Sequence, residues 1–182
     1  KNGFRVVGYD LDGARVQALQ AEGMHAGKSA VDVASQCTEI ITSLPSPQAL
    51  HQVVTELAAL GQRLQEIVIA DTCTLAMSDK VQAMETLRAA GGTLLDAPVS
   101  GTGAQAAKGD LIVFASGDAK GVERMMPVFA GIGRLTHSLG DFGNGSKMKY
   151  VANLLVTIHN VSTAEAFAFA QKACIAPESA YK

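Results

Sequence analysis

The sequence has 182 residues, of which 48% are hydrophobic and 18% charged, with eighteen glycines, no tryptophan and a formal charge of −2. This length suits one domain, or one domain and part of another, and the charge leaves no basic footprint for nucleic acid or an anionic membrane. No apolar run nears the ~18 residues of a membrane span, no signal peptide opens the chain, and cysteines without metal-ligand spacing (Cys37, Cys73, Cys174) suit a reduced, cytoplasmic protein without a metal site.

Short β-rich runs alternate with helical segments, the pattern of parallel βαβ units. "KNG" at the start reads as a helix's last turn, with Gly3 as its left-handed terminator. A strand at Phe4–Tyr9 follows, then a helix at Gly13–Ala21, a very short strand at Met24–Ala26 and a helix at Ser29–Gln36. Next come a strand at Glu39–Ser43, a helix at Pro47–Leu60, a strand at Ile67–Ala70 and a helix at Leu75–Ala90. Strands at Thr93–Ala97, Leu111–Ser116 and Arg134–His137 close the series, with a helix at Ala119–Phe129 before the last. From "GDFGNG" onward a periodic run extends to Ala173, about 30 residues and long for a globular helix. Both ends look cut, because "ACIAPESAYK" leaves the long helix nothing to pack on. The expectation is a fragment of a larger protein: 1–142 a domain lacking its first strand and glycine loop, 143–182 a long interdomain helix.

"VVGYD" ends a strand in Asp10. At the end of a Rossmann second strand such a carboxylate accepts hydrogen bonds from the adenosine ribose and repels a 2′-phosphate, favouring NAD over NADP. An Asp there also simply caps a turn. The matching G-x-G-x-x-G loop, about 20 residues earlier, would fall before residue 1. Gly101-Thr-Gly103-Ala-Gln-Ala106 imitates that loop, but a handful of residues separates it from the next strand, whereas a crossover needs ~10 or more. It is a decoy for dinucleotide binding.

Two other stretches carry chemistry. In "LLDAPVSGTGAQAAKGDL", Ser100, Gly101, Thr102 and Gly103 form a small-residue turn. Such a turn either exposes consecutive N–H groups and two hydroxyls to a carboxylate or phosphate, or is only a tight turn. In the long helix, counting ~100° per residue from Lys149, Asn153 lies about 40° round, Asn160 about 20°, Thr157 about 80° and Lys147 about 160°. Lys149 and Asn153 are therefore i, i+4 neighbours on a polar stripe that Lys147 cannot join, a stripe that solvation alone would also explain. Val151, Leu154, Leu155 and Ile158 lie on the other side.

These motifs resemble the β-hydroxyacid dehydrogenase family, which includes 3-hydroxyisobutyrate dehydrogenase, tartronate semialdehyde reductase and, more distantly, 6-phosphogluconate dehydrogenase. "DAPVSGTGAQAAKGDL" is similar to the family's substrate-binding D-x-P-V-S-G-G. "GDFGNGSKMKYVAN" fits G-x-x-G-x-G-x-x-x-K-x-x-x-N, with Gly140, Gly143, Gly145, Lys149 and Asn153 in register. "ITSLPSPQAL" and "ADTCTL" resemble segments lining the nicotinamide end of the cofactor. The resemblance implies an α/β fold: a Rossmann-like doubly wound, mostly parallel sheet, then a long interdomain helix leading into an all-α C-terminal domain largely absent here. It implies that Lys149 is the catalytic acid–base, that Ser100, Gly101, Thr102 and Asn153 hold a small carboxylate substrate, and that Asp10, Leu44, Pro45 and Thr74 touch NAD. It also implies a homodimer or homotetramer assembled through the helical domain, with no nucleic-acid or membrane partner.

Departures refine the expectation. Thr102 stands where the family has a second glycine, so the cradle is narrower or gains a hydroxyl, which bears on the substrate and not on the reaction. Hydroxyisobutyrate, glycerate or tartronate semialdehyde, threonate and succinic semialdehyde all suit a one-carboxylate cradle. Cys73 replaces a frequent Ser and reads as a small buried side chain rather than a reactive thiolate. Val156 occupies the place of the glutamate that acts after decarboxylation in the phosphogluconate branch, which points to oxidation without enzyme-catalysed decarboxylation. The rival reading is a non-catalytic dinucleotide-binding or assembly module of the same fold, as in a chromatin-associated member lacking the lysine; Lys149 and Asn153 argue against it.

Overall fold

The computed structural model describes residues 3–180. Gly3 takes a left-handed φ of +80°, as a helix terminator does, while Lys1 and Asn2 of the expected last turn lie outside the described residues. Tyr181 and Lys182 lie outside them as well.

Local side-chain chemistry sets the first element ends. After β1 (Val7–Gly8), Asp12 accepts the Ala14 N–H at 3.0 Å and starts α1 (Gly13–Ala21). β2 (His25–Ala26) follows, and Ser29 caps α2 (Ala30–Gln36) by accepting the Asp32 N–H at 3.0 Å. β3 (Glu39–Thr42) leads to α3 (Pro47–Ala58), where Ser46 caps and Pro47 supplies a pre-set first residue. A 3₁₀ turn at Gly61–Glu66 precedes β4 (Val68–Asp71), α4 (Met77–Ala89) and β5 (Thr93–Asp96). Then come β6 (Val99–Ser100), α5 (Gly103–Lys108), β7 (Leu111–Ala115), α6 (Ala119–Ile132) and β8 (Gly133–Ser138). α7 (Asn144–Lys172) and α8 (Pro177–Ala180) complete the series.

The sequence pattern misplaces several of these ends for physical reasons. The expected strand Phe4–Tyr9 shrinks to Val7–Gly8 because, among the described residues, it pairs only with β2, Val7 to His25 and Gly8 to Ala26. A groove of about 780 Å³ lined by Phe4–Val7, Thr38–Ile41, Arg124 and Pro127 borders it. α4 begins at Met77 rather than Leu75, since the backbone is still extended at Ala76, with φ −60° and ψ 145°. β6, α5, the 3₁₀ turn and α8 have no counterpart in the expected series.

β3, β4 and β5 form a parallel sheet whose ends are in register, Thr42 opposite Asp71 and Asp71 opposite Asp96. An antiparallel bridge joins Asp96 to Ser116, just past β7, and β7 pairs in parallel with β8 and antiparallel with β6. Successive strand residues serve opposite faces, as the period of two requires. Ile69 and Leu94 pack with Leu50, Val54, Leu57 and Leu87 of α3 and α4, whereas Val68, Ala70 and Leu95 pack with Val122, Met125 and Phe129 of α6. Each fully buried leucine contributes ~1.5–3 kcal/mol relative to exposure. Helices thus cover both faces of a mostly parallel sheet, which is the doubly wound Rossmann-like architecture.

The chain divides into two compact units, the first ending at Ser146 and the second beginning at Lys147. In the second, α7 continues to Lys172, with Val151, Leu154, Leu155 and Ile158 more than half exposed. Cys174, at a left-handed φ of +58°, turns the chain after it, and the Ile175 N–H donates to the Ala170 carbonyl at 2.9 Å. Among the described residues no helix is long and apolar enough to cross a membrane.

Candidate functional site

The C-terminal ends of β3, β4, β5 and β7 place Thr42, Asp71, Asp96 and Ser116 in one row, all buried. Two carboxylates in a dry interior need compensation, and Lys80 of α4, with no exposed surface, supplies it. Its ammonium lies 2.5 Å from Asp96 Oδ1 and 3.0 Å from Asp71 Oδ2, and donates to the Cys73 carbonyl at 2.9 Å. Burial alone would lower the Lys80 pKa, but the charges of Asp71 and Asp96 outweigh it and hold the group above its ordinary value. The Thr42 hydroxyl donates to Asp71 Oδ1 at 2.8 Å. Asp96 also accepts the Ser146 N–H and hydroxyl, each at 2.7 Å, so a carboxylate sits at the first turn of α7, where the helix dipole favours negative charge. Gly145 lets that turn close up: a Cβ there would collide with the Phe114 carbonyl oxygen and stand 2.8 Å from that of Asp96.

Three of the four expected cofactor residues follow the same strand ends. Leu44 and Pro45 come just after β3, and Thr74 just after β4. Their loops are tied together: the Leu44 N–H donates to Cys73 Sγ at 3.0 Å, and the Thr72 N–H and hydroxyl donate to the Thr42 carbonyl at 2.9 and 2.7 Å. Burial, with Asp71 close by, pushes the Cys73 thiol up to about 12, so Cys73 is the small buried side chain expected and not a thiolate. The fourth, Asp10, stands on the exposed loop after β1. One of its oxygens accepts the Asp12 N–H at 2.8 Å and the other lies 3.8 Å from Arg15.

Ser100 ends β6, half-buried, while Gly101 and Thr102 are exposed, Gly101 at a left-handed φ of +141°. Thr102 caps α5 in a capping box: its N–H donates to Gln105 Oε1 at 2.9 Å and its hydroxyl accepts the Gln105 N–H at 3.3 Å. The hydroxyl at the position of a second glycine therefore has a partner within the turn itself. Because β6 and β7 are antiparallel and α5 is only six residues long, the glycine pattern here is not a crossover loop.

In the second unit, Lys149 is half-buried and Asn153 exposed on one face of α7, and Lys147 is exposed. Burial lowers the Lys149 pKa from that of an ordinary lysine. Sequence reasoning named Asp10, Leu44, Pro45, Cys73, Thr74, Ser100, Gly101, Thr102, Lys147, Lys149 and Asn153, but gave no role to Thr42, Asp71, Lys80, Asp96, Ser116 or Ser146. The available signal was the pair of aspartates ending successive strands, which in a buried sheet require a cation from the intervening helix.

Residues 1–143 match the family described as the NAD binding domain of 6-phosphogluconate dehydrogenase. The chain is 32% identical over 173 residues to 3-hydroxyisobutyrate dehydrogenase of Pseudomonas aeruginosa, covering 94% of this chain and 58% of that protein. It is 29% identical over 157 residues to glyoxylate/succinic semialdehyde reductase 1 of Arabidopsis thaliana, covering 86% of this chain and 54% of that protein. Among solved structures, 3-hydroxyisobutyrate dehydrogenase of Mycobacterium tuberculosis with L-serine superimposes with a TM-score of 0.87 at 25% identity, covering 97% of this chain and 60% of that one. The chain spans less than two thirds of the length of these relatives.

Proposed function

From the premise that the chain belongs to the family of the NAD-binding domain of 6-phosphogluconate dehydrogenase, and with it to the β-hydroxyacid dehydrogenases, we propose that it serves NAD-dependent oxidation of a small β-hydroxy acid, or the reverse reduction. The observation that carries this reading is a lysine with a lowered pKa one helical turn from an asparagine on the same face of α7. In this reading residues 1–142 are the dinucleotide-binding half and 143–182 an interdomain helix, in a cytoplasmic homodimer or homotetramer.

The residues present fit a dinucleotide. Asp10 keeps an exposed carboxylate at a strand end for ribose hydroxyls, and Leu44, Pro45 and Thr74 stand at the carboxyl edge of a parallel sheet, where open α/β sheets bind ligands. When bound, NAD supplies the hydride acceptor. Lys149, as the free amine, takes the hydroxyl proton in oxidation and returns it as ammonium in reduction. A lowered pKa raises the fraction of amine able to accept that proton near neutral pH. Asn153 orients the same oxygen, and Ser100, Gly101 and Thr102 hold the substrate carboxylate, which must share the Thr102 N–H with Gln105. Val156 has no proton to give, so the reaction stops without catalysed decarboxylation.

The test is a pair of variants in the full-length protein. Lys149→Ala should reduce NADH formation by about 10³-fold or more while NAD affinity, from fluorescence titration, stays within about twofold. Lys147→Ala should leave both near wild type; equal loss in the two variants would remove Lys149 from its role.

A further inference from the structure

Lys80 is a fully buried lysine with no exposed surface, and the proposed chemistry does not use it. An ammonium between two buried carboxylates is seldom more stable than an apolar replacement, so cohesion alone does not account for it. Its bonds give it a second task. It donates to the Cys73 carbonyl at 2.9 Å, and the thiol of the same residue accepts the Leu44 N–H at 3.0 Å. One residue, Cys73, thus carries the ammonium's hold into both loops. The Asp96 carboxylate on the other side of the ammonium carries that hold to Ser146 at the first turn of α7, through its two bonds of 2.7 Å.

We propose that Lys80 is a positioning residue for the cofactor-binding edge: clamped by Asp71 and Asp96, it fixes Cys73 and thereby sets Leu44, Pro45 and Thr74 where the nicotinamide end of NAD is held. This inference rests on the reading above. The loop after β4 has no side-chain cap at Ala76, the residue before α4; beside the Thr72 bonds to Thr42, the ammonium's bond to the Cys73 carbonyl fastens it. One ammonium faces two carboxylates, so neutral donors supply the rest: Asp96 also accepts the N–H and hydroxyl of Ser146, and Asp71 the hydroxyl of Thr42.

The experiment compares three variants of the full-length protein by amide hydrogen exchange and by NAD titration. Lys80→Met alone strips the charge from two carboxylates and can unfold the domain, so the deciding variant is Lys80→Met/Asp71→Asn, which removes one positive and one negative charge together. It should stay folded, with Leu44 and Thr74 exchanging about tenfold faster, NAD dissociation constant raised about tenfold, and the KM for hydroxy acid within about twofold. Cys73→Ala, which leaves the ion cluster intact, should speed exchange at Leu44 and weaken NAD binding about threefold. Wild-type exchange at Leu44 and Thr74 in the folded double variant would overturn the tie, as would faster exchange with unchanged NAD affinity. If the double variant does not fold, Cys73→Ala decides alone, and its wild-type exchange and affinity would overturn the proposal. A wild-type protein that binds no NAD would instead sink the dehydrogenase reading, and the exchange data would still show whether Lys80 holds the loops.

Discussion

Lys80 is fully buried and Lys149 half-buried; burial lowers the pKa of both, yet the outcomes are opposite. Around Lys80 two carboxylates answer the desolvation, the pKa rises and the proton is locked in place. On Lys149 burial acts without that compensation and the pKa falls. The difference teaches that burial does not by itself make a lysine reactive. What its neighbours leave uncompensated sets the direction, and in the first unit Asp71 and Asp96 compensate Lys80.

The contrast can be broken most forcefully at Lys80. Lys80→Met should destabilise the protein by about 3–5 kcal/mol, read from urea unfolding, because two buried carboxylates lose their cation. A loss under 1 kcal/mol would mean that the row is solvated. A smaller effect belongs to Gly145→Ala, about 2–3 kcal/mol in the same assay, since the new methyl must displace the Phe114 or Asp96 carbonyl. The mildest test is pH. Cys73 and Lys80 both have raised folded-state values, so the native state holds more protons than the unfolded state in alkali and their stabilisation is lost as pH rises. For Cys73 that loss spans from 9.0 to about 12, and Cys73→Ala should flatten the fall in Tm across the lower part of this window. Lys149 has the opposite sign: its depressed pKa favours the folded state above 10.5 and that contribution disappears as pH falls through the lowered value. Correspondingly, kcat for oxidation should climb with pH and level off below 10.5; a profile still rising at that pH would contradict a perturbed lysine.

Much of this was legible in the residues, and the exceptions have causes. α1 appears with the expected ends, and α3 with its expected start, because Asp12 and the Ser46-Pro47 pair announce helix starts locally. β3, β4 and β5 are short apolar runs between turn signals and appear within a residue of their expected ends. α5 was legible in principle through Thr102-x-x-Gln105, a capping-box spacing, but the glycines and alanines around it read as a turn. Lys80 was not legible by any local rule: a lysine in "SDKVQAME" reads as a solvent-facing residue, and its partners Asp71 and Asp96 are assembled only when β4 and β5 pair in register. Lys149, by contrast, is told from Lys147 by helical phase alone, since both share one helix.

The thiol of Cys73 has a consequence for how the protein ages. Oxidants attack thiolates, and a thiol held at about 12 presents roughly one thiolate in 10⁵ molecules at neutral pH. Peroxide damage should therefore begin at the exposed Cys174 and spare the sulfur beside Leu44. Burial first, and the Asp71 carboxylate beside it second, deny this sulfur the negative charge and keep it out of redox traffic.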